Sequence, residues 1–284
     1  MKILDNDDLR KIHALSLQIR MSVSGQASGN RKSKSKGSSV EFSDFREYAP
    51  GDDFRRIDWN AYGRFNKLFV KLYMEEREAP VQVFPDMSMS MDYGSPNKFA
   101  AALRLAAAIS YVSLLSYDSV YINPWNEKVQ GIYGPFRTQS SYMKVDNLLS
   151  GLMASGKSNF SDALRSMEWK AGRGISVVIT DGLLRDGLEE GLKYLKYKNQ
   201  DVFLCMLLSP EELSPPLNGA IELVDSETGE TVEVTVSNAL LKKYEESLKQ
   251  HMAKLQEQCR KWGIHFAMLS SDMPVDLMLK SVIT

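Results

Sequence analysis

The chain has 284 residues, of which 43% are hydrophobic and 25% are charged, and its formal net charge is -1. This balance is typical of a soluble globular protein with a full hydrophobic core, and it excludes a disordered or collagen-like chain. The near-zero net charge gives no general reason to expect nucleic-acid binding. Cys205 and Cys259 stand apart in an apolar run and a helical pattern, so we predict structural roles for both and no disulfide framework.

The N-terminal residues alternate charged and apolar side chains, without the apolar centre of a signal peptide. No apolar run of about 18 residues stands out, so we expect a cytoplasmic protein with no membrane association. The apolar spacing predicts a helix over residues 6–22 that packs on the main body. Residues 25–39, GQASGNRKSKSKGSS, predict a basic flexible loop. The cations of this loop are Arg31, Lys32, Lys34 and Lys36. One interpretation is that they are only solvated, and the other is that they bind an acidic partner or phosphates, including those of nucleic acid.

The stretch REYAPGDDFRRIDWNAYGR, residues 46–64, mixes arginines and acids with aromatic residues. One interpretation is a surface connection anchored by its aromatic side chains. The other is a partner-docking surface, because Arg, Trp and Tyr dominate the binding energy of many interfaces. On the second interpretation, Arg56 and Trp59 are the residues that bind the partner.

From residue 81 onward, apolar runs alternate with helical patterns, which predicts an α/β fold. We expect a doubly wound, mostly parallel sheet with helices on both faces. Ser95 and Pro96 predict the start of the first helix after the first strand. Residues 220–237 alternate like two strands around Thr228 and Gly229, which predicts a hairpin at the sheet edge or a projecting flap.

The first strand ends in the sequence VQVFPDMSMSMDYG, residues 81–94. Asp86 lies at the carboxyl edge of the sheet, where such folds bind ligands. Ser88 and Ser90 can face the same side as Asp86, and these hard oxygen donors suit Mg²⁺, Mn²⁺ or Ca²⁺. The alternative is that all three side chains only satisfy turn and helix-start amides.

Two later segments belong at the same edge. GKSNFSDAL, residues 156–164, carries a loop hydroxyl into a helix, and ISVVITDG, residues 175–182, is a buried strand that ends in Thr180 and Asp181. With D-x-S-x-S, these segments resemble the metal-ion-dependent adhesion site of von Willebrand factor A domains. The stretch FREYAPGDDFRRIDWNAYGRFNKLFVKLYMEERE, residues 45–78, resembles the signature of the bacterial DUF58 family, which has a von Willebrand A-like domain.

The resemblance divides the chain into three parts: an N-terminal helix and basic loop (1–37), a DUF58-type segment (38–80) and a von Willebrand A-like domain (81–284). It implies a protein-binding module that is not an enzyme, working with a MoxR-type AAA+ ATPase. The implied cation is Mg²⁺, or Mn²⁺ or Ca²⁺, and a carboxylate of the partner completes its coordination. The implied metal ligands are Asp86, Ser88, Ser90, Ser158 and Asp181. Lys157 and Ser158 stand where relatives often have Gly-Thr, and the cation of Lys157 either weakens metal affinity or helps to hold an acidic ligand.

A rival motif overlaps the second segment. GLMASGKS, residues 151–158, matches the P-loop pattern G-x-x-x-x-G-K-[ST], which would make the protein an NTPase that uses Gly156, Lys157 and Ser158. A P-loop follows a strand directly, whereas the residues before Gly151 have helical spacing.

The histidines, His13, His251 and His265, lie far in sequence from the serine loops, and we predict structural roles for them.

Overall fold

The computed structural model describes residues 2–26, 40–75, 80–169, 172–183 and 187–283. The described residues divide between two compact units, whose bounds along the chain are Met1–Gly25 with Ala79–Thr284 for the larger and Gln26–Glu78 for the smaller. The four cations predicted for the basic loop lie outside the described residues, so the alternatives for that loop remain predictions.

The described residues contain helices that are numbered here in chain order. They are α1 (Asn6–Gln26), α2 (Trp59–Phe65), α3 (Lys98–Leu115), α4 (Tyr142–Ser150), α5 (Phe160–Arg165), α6 (Leu188–Tyr197), α7 (Pro210–Leu213), α8 (Asn238–Lys261) and α9 (Val275–Ile283). The strands are β1 (Val40–Glu47), β2 (Phe69–Glu75), β3 (Pro80–Pro85), β4 (Ser119–Ile122), β5 (Tyr133–Phe136), β6 (Gly174–Thr180), β7 (Gln200–Leu208), β8 (Gly219–Val224), β9 (Thr231–Val236) and β10 (His265–Ser270).

The larger unit is built on a six-stranded sheet in the order β10-β7-β6-β3-β4-β5. All neighbouring strands pair in parallel except β5, which is antiparallel to β4. The chain moves outward from β3 through β4 and β5, then returns to the other side of β3 with β6. The carboxyl ends of β3 and β6 therefore meet at a topological switch point, where ligands of open α/β sheets bind.

Both faces of this sheet are buried, because successive side chains of a strand point in opposite directions. In β6, Val177 and Ile179 belong to one core cluster, and Val178 belongs to the other. The first cluster includes residues of α1, α3, α4 and α9, and the second includes residues of α5, α6 and α8. The predicted α/β class with helices on both faces is confirmed.

The predicted N-terminal helix is confirmed as α1, and it packs on the body of the larger unit. Ile12 is fully buried in the first core cluster, although Leu17 remains exposed. Arg104 of α3 donates to both carboxylate oxygens of Asp8 at 3.1 and 2.9 Å. The helix is therefore held by an apolar contact and by an ion pair.

The smaller unit consists of the antiparallel pair β1 and β2 with α2 between them in sequence. Asp58 begins α2, and its carboxylate accepts hydrogen bonds from Asn60 N and Ala61 N. Trp59 is 63% exposed and lies edge-on to Tyr62, with 6.3 Å between the ring centroids. The helix therefore presents aromatic surface.

Two expectations need correction, and a third is refined. Asn97, not Ser95, caps α3: its side chain accepts from Ala100 N at 3.0 Å, and Pro96 precedes the cap. The second correction concerns the expectation that no apolar run of about 18 residues stands out. α3 is 18 residues long and is apolar enough to span a membrane by length and composition, although 67% of it is buried in the fold. The predicted hairpin is confirmed as β8 and β9, and they form a sheet of their own.

Candidate functional site

The end of β3 places Asp86 at the switch point of the sheet. Asp86 N donates to Ile179 O of β6 at 2.9 Å, and the next amide, Met87 N, donates to Trp125 O at 2.7 Å. These bonds hold the chain between β6 and the segment that follows β4, just as it leaves the sheet. Asp86 and Ser88 are fully buried as a result.

The hydroxyls of the first loop face each other and do not cap a helix. Ser88 Oγ lies 3.0 Å from Ser90 Oγ. Ser88 is the residue before the 3-10 turn Met89–Met91, yet its side chain makes no cap hydrogen bond there. One turn amide is satisfied by the acid, since Ser88 N donates to Asp86 Oδ1 at 2.9 Å. The turn alternative therefore accounts for one carboxylate oxygen and for neither hydroxyl.

The end of β6 adds a second acid and a hydroxyl beside Asp86. Thr180 Oγ1 donates to Asp86 Oδ2 at 2.7 Å, and the side chain of Asp181 is buried. Burial, and next the negative charge of Asp181, raise the pKa of Asp86 to about 7. The donors to the Asp86 carboxylate within the described residues, Ser88 N, Thr180 Oγ1 and the Ser88 hydroxyl, are all uncharged.

A buried lysine lies beside these acids, and the sequence patterns did not predict it. Lys98 is the first residue of α3 and has no exposed surface. Its Nζ donates to Asp181 Oδ2 at 3.1 Å and to Glu212 Oε1 at 2.6 Å. A sequence signal for Glu212 did exist, namely the capping box that it forms with Ser209 at the start of α7. Ser209 directly follows β7, so this capping box lies at the same edge of the sheet.

The second loop is tied to the first by backbone hydrogen bonds. Met89 N donates to Gly156 O at 3.0 Å, and Ser155 N donates to Met87 O at 2.6 Å. Ser158 is half-buried and Lys157 is exposed. Ser158 Oγ donates to Glu227 Oε1 at 3.0 Å, and Glu227 belongs to the turn of the hairpin β8-β9. Sequence reasoning missed Glu227, because nothing in the strand pattern says where a hairpin turn will point.

The described residues contain no group of three or more His, Cys, Asp or Glu side chains that could hold a metal ion. The carboxylates alone therefore do not form a metal site. A cation at this edge would need the serine hydroxyls as ligands as well, together with water or an added ligand. Hydroxyl and carboxylate oxygens are the donors that Mg²⁺, Mn²⁺ and Ca²⁺ prefer.

The family model described as Protein of unknown function DUF58 matches residues 44–254. The chain belongs to the DUF58 family. The matched segment includes part of the smaller unit, the first and second loops, Asp181 and the hairpin.

This DUF58 chain is also similar to uncharacterized proteins of mycobacteria. It is 25% identical over 273 residues to Uncharacterized protein Rv1480 of Mycobacterium tuberculosis, covering 92% of this chain and 84% of that protein. An uncharacterized protein of Mycobacterium bovis matches with the same identity and coverage.

Among solved structures, similarity is found to the conserved hypothetical protein BatB from Bacteroides thetaiotaomicron, with a TM-score of 0.42 and 17% identity, covering 72% of this DUF58 chain and 100% of that chain. For an aerotolerance-related membrane protein from Bacteroides fragilis, the TM-score is 0.44 and the identity is 18%, covering 72% of this chain and 96% of that chain. For the manganese-loaded TRAP protein of Plasmodium vivax, the TM-score is 0.33 and the identity is 20%, covering 45% of this chain and 56% of that chain.

The P-loop pattern of the DUF58 chain lies in the wrong local structure for phosphate binding. The helix α4, Tyr142–Ser150, precedes it, and Gly151 is the C-cap of that helix. A P-loop joins a strand to a helix so that its amides surround the phosphates. The expected helix end at Gly151 is therefore confirmed, and the strand that an NTPase loop needs is not at that position.

The remaining predicted residues of the DUF58 chain have different surroundings. Arg56 belongs to the 3-10 turn Phe54–Arg56 in the smaller unit, and its side chain lies outside the described residues. His251 Nε2 lies 2.9 Å from Gly182 O, and the His265 ring stacks on Phe203 with 4.3 Å between centroids. These contacts are of the structural kind predicted for the histidines. The cysteines are free and buried, and burial raises the pKa of both thiols, which fits the structural roles predicted for them.

Proposed function

We propose that this DUF58 protein is a protein-binding module, not an enzyme, and that a divalent cation at the carboxyl edge of its sheet binds an acidic group of the partner. Asp86, Ser88, Ser90 and Ser158 hold the cation, with Asp181 beside them. The observation that carries the proposal is the first loop, where two serine hydroxyls lie 3.0 Å apart next to a fully buried carboxylate.

The charges of this region favour a cation. Asp86, Asp181 and Glu212 are three acids at one edge, and the buried ammonium of Lys98 bonds to only the latter two. An ionised carboxylate that is buried next to another acid is costly unless a positive charge is near. A divalent cation supplies that charge, and the hydroxyl oxygens replace part of its water shell.

The ligand set also explains why the cation would recognise acids. Mg²⁺ prefers six oxygen ligands and keeps several waters, so a site built from few carboxylates leaves exchangeable positions. A carboxylate of another protein is a better ligand there than water. Lys157 is exposed two residues from the backbone tie at Ser155, where its charge would attract the same acidic group.

The test is thermal unfolding at pH 8 of the wild type, Asp86→Ala and Lys157→Ala, with EDTA, Mg²⁺, Mn²⁺ or Mg²⁺ plus ATP. A ligand that binds only the folded state stabilises it by about 2.7 kcal/mol at one hundred times its dissociation constant. We expect metal to raise the melting temperature of the wild type and of Lys157→Ala, and not that of Asp86→Ala. Asp92→Ala is the matched control, because Asp92 is an exposed acid of the same loop.

Absence of any metal effect on the wild type would contradict the proposal. Stabilisation by ATP that is lost in Lys157→Ala would show instead that the GLMASGKS segment binds nucleotide. A separate binding measurement with DNA or RNA tests the basic loop. Binding that weakens steeply with salt would point to nucleic acid as the partner.

The partner that we propose is a MoxR-type AAA+ ATPase, and the compartment is the cytoplasm. The support for this partner is the resemblance of residues 45–78 to the DUF58 signature and the match of the family model. The exposed aromatic side chains of α2 suit a docking role, because Trp and Tyr are enriched among the residues that dominate binding energy.

A further inference from the structure

The turn of the hairpin β8-β9 is closed by hydrogen bonds of its own. Asp225 Oδ1 accepts from Glu227 N and from Thr228 N, each at 2.9 Å. Two backbone bonds close the turn, from Gly229 N to Asp225 O at 2.8 Å and from Asp225 N to Glu230 O at 2.9 Å. These hydrogen bonds constrain the backbone of the turn on both sides of Glu227.

The side chain of Glu227 contacts a residue of the candidate metal site. Its Oε1 accepts from Ser158 Oγ at 3.0 Å, across 69 residues of sequence. Glu227 is half-buried, whereas residues on both strands of the hairpin are exposed, with Val224 at 62% and Val232 at 59%. The hairpin is thus a projecting element whose turn brings a carboxylate to a hydroxyl of the proposed ligand set.

We propose that Glu227 is a tethered carboxylate ligand of this metal site and stands where the acid of a partner would bind. The inference rests on the proposed function, since it assigns the occupant of the exchangeable position in that site. A carboxylate that already lies on Ser158 is the same chemical group that the cation would recognise in another protein. Binding of an external acid then requires the hairpin turn to move away, so β8-β9 limits access to the site.

The experiment measures Mn²⁺ affinity and the number of exchangeable waters on bound Mn²⁺, by titration with water-proton relaxation, for the full chain. The Mn²⁺ affinity of Glu227→Ala should be lower than that of the wild type by about tenfold or more. Removing a residue that only supports a metal ligand already lowers metal affinity by about this factor. Its bound Mn²⁺ should carry one more water than in the wild type. Acetate should remove that extra water from Glu227→Ala and leave the wild type unchanged.

Glu230→Ala is the matched control, because it removes a carboxylate from the same turn, and it should behave like the wild type. Equal affinity, water number and acetate response in Glu227→Ala and the wild type would overturn the role of Glu227 and leave the metal site standing. No Mn²⁺ binding by the wild type, or binding that persists in Ser88→Ala, would overturn the metal site and this inference together.

Discussion

At the scale of single residues, the site is a small set of buried charges with few neutralising partners. Asp86 accepts only from neutral donors among the described residues, while Asp181 shares the ammonium of Lys98 with Glu212. Each of these side chains has an energetic role that a substitution can measure. Two predictions follow from their charges, one for Asp86 and one for Lys98.

Without metal, the pKa of Asp86 makes stability fall as pH rises. The folded protein holds this proton up to about pH 7, whereas the unfolded chain loses it near 3.8. Between these values the folded state binds more protons, so the free energy of unfolding decreases with pH, by on the order of 4 kcal/mol over the full window. Asp86→Asn should lack this decrease. Urea unfolding in EDTA from pH 4 to 8 measures it, and parallel curves for both proteins would contradict the assignment.

Lys98→Met should destabilise the metal-free protein strongly, because it leaves Asp181 and Glu212 without their shared cation. Breaking a buried ion pair by removing one partner costs about 3–5 kcal/mol. Added Mg²⁺ should then stabilise the variant more than the wild type, since a competing positive charge is gone. Urea unfolding with EDTA and with Mg²⁺ provides both values.

Lys11→Met is the control for this change, because Lys11 also pairs with an acid, Asp7, at 2.7 Å but on an exposed helix surface. Its free energy of unfolding should be nearly unchanged. A loss of stability in Lys98→Met no larger than in Lys11→Met would mean that the buried pair contributes little.

At the scale of elements, the site depends on how closely β3 and β6 approach each other, because they deliver Asp86 and Asp181. Val81 pairs with Ile175 and Pro85 with Ile179 in this parallel ladder. At the start of β6, Gly174 lies against the backbone of β3. A Cβ added at Gly174 would meet Pro80 O at 2.2 Å, a backbone atom that cannot rotate away.

Gly174→Ala should therefore push the strands apart and destabilise the larger unit by about 1–3 kcal/mol, the usual cost of overpacking. Thermal unfolding measures the loss, and Mg²⁺ titration reports whether the far end of the strands moves as well. Gly172→Ala is the matched control, because nothing lies within 4 Å of a Cβ at that position. Equal melting temperatures for the two variants would argue against close packing at Gly174.

At the scale of the whole molecule, the larger unit is built from parts that are distant in sequence. The larger unit joins the N-terminal helix α1 to the sheet, and Ile12 shares a core cluster with residues of α3 and α9. The smaller unit carries the exposed aromatic residues of α2.

If the proposed MoxR-type partner is right, Trp59→Ala, and separately Arg56→Ala, should reduce capture of a MoxR-type ATPase co-expressed with this protein, without changing the melting temperature. Large exposed aromatic residues at interfaces often contribute 2 kcal/mol or more, which is about a thirtyfold change in affinity. Tyr197→Ala is the control, because Tyr197 is an exposed aromatic residue of the larger unit, at 77% exposure. If capture is unchanged in both Trp59→Ala and Arg56→Ala, this docking surface is ruled out.

The local patterns of the sequence were sufficient for the larger unit's fold class, the strand that ends at Asp86, the strand that ends at Asp181 and the hairpin. Their information is local: apolar periodicity defines each element, and parallel strands bring their carboxyl ends to one edge. Only the tertiary structure placed Lys98, Glu212 and Glu227, because these residues come from a helix start, a capping box and a turn that are distant in sequence. The direction of a helix start or a hairpin turn depends on long-range packing, which no residue pattern specifies.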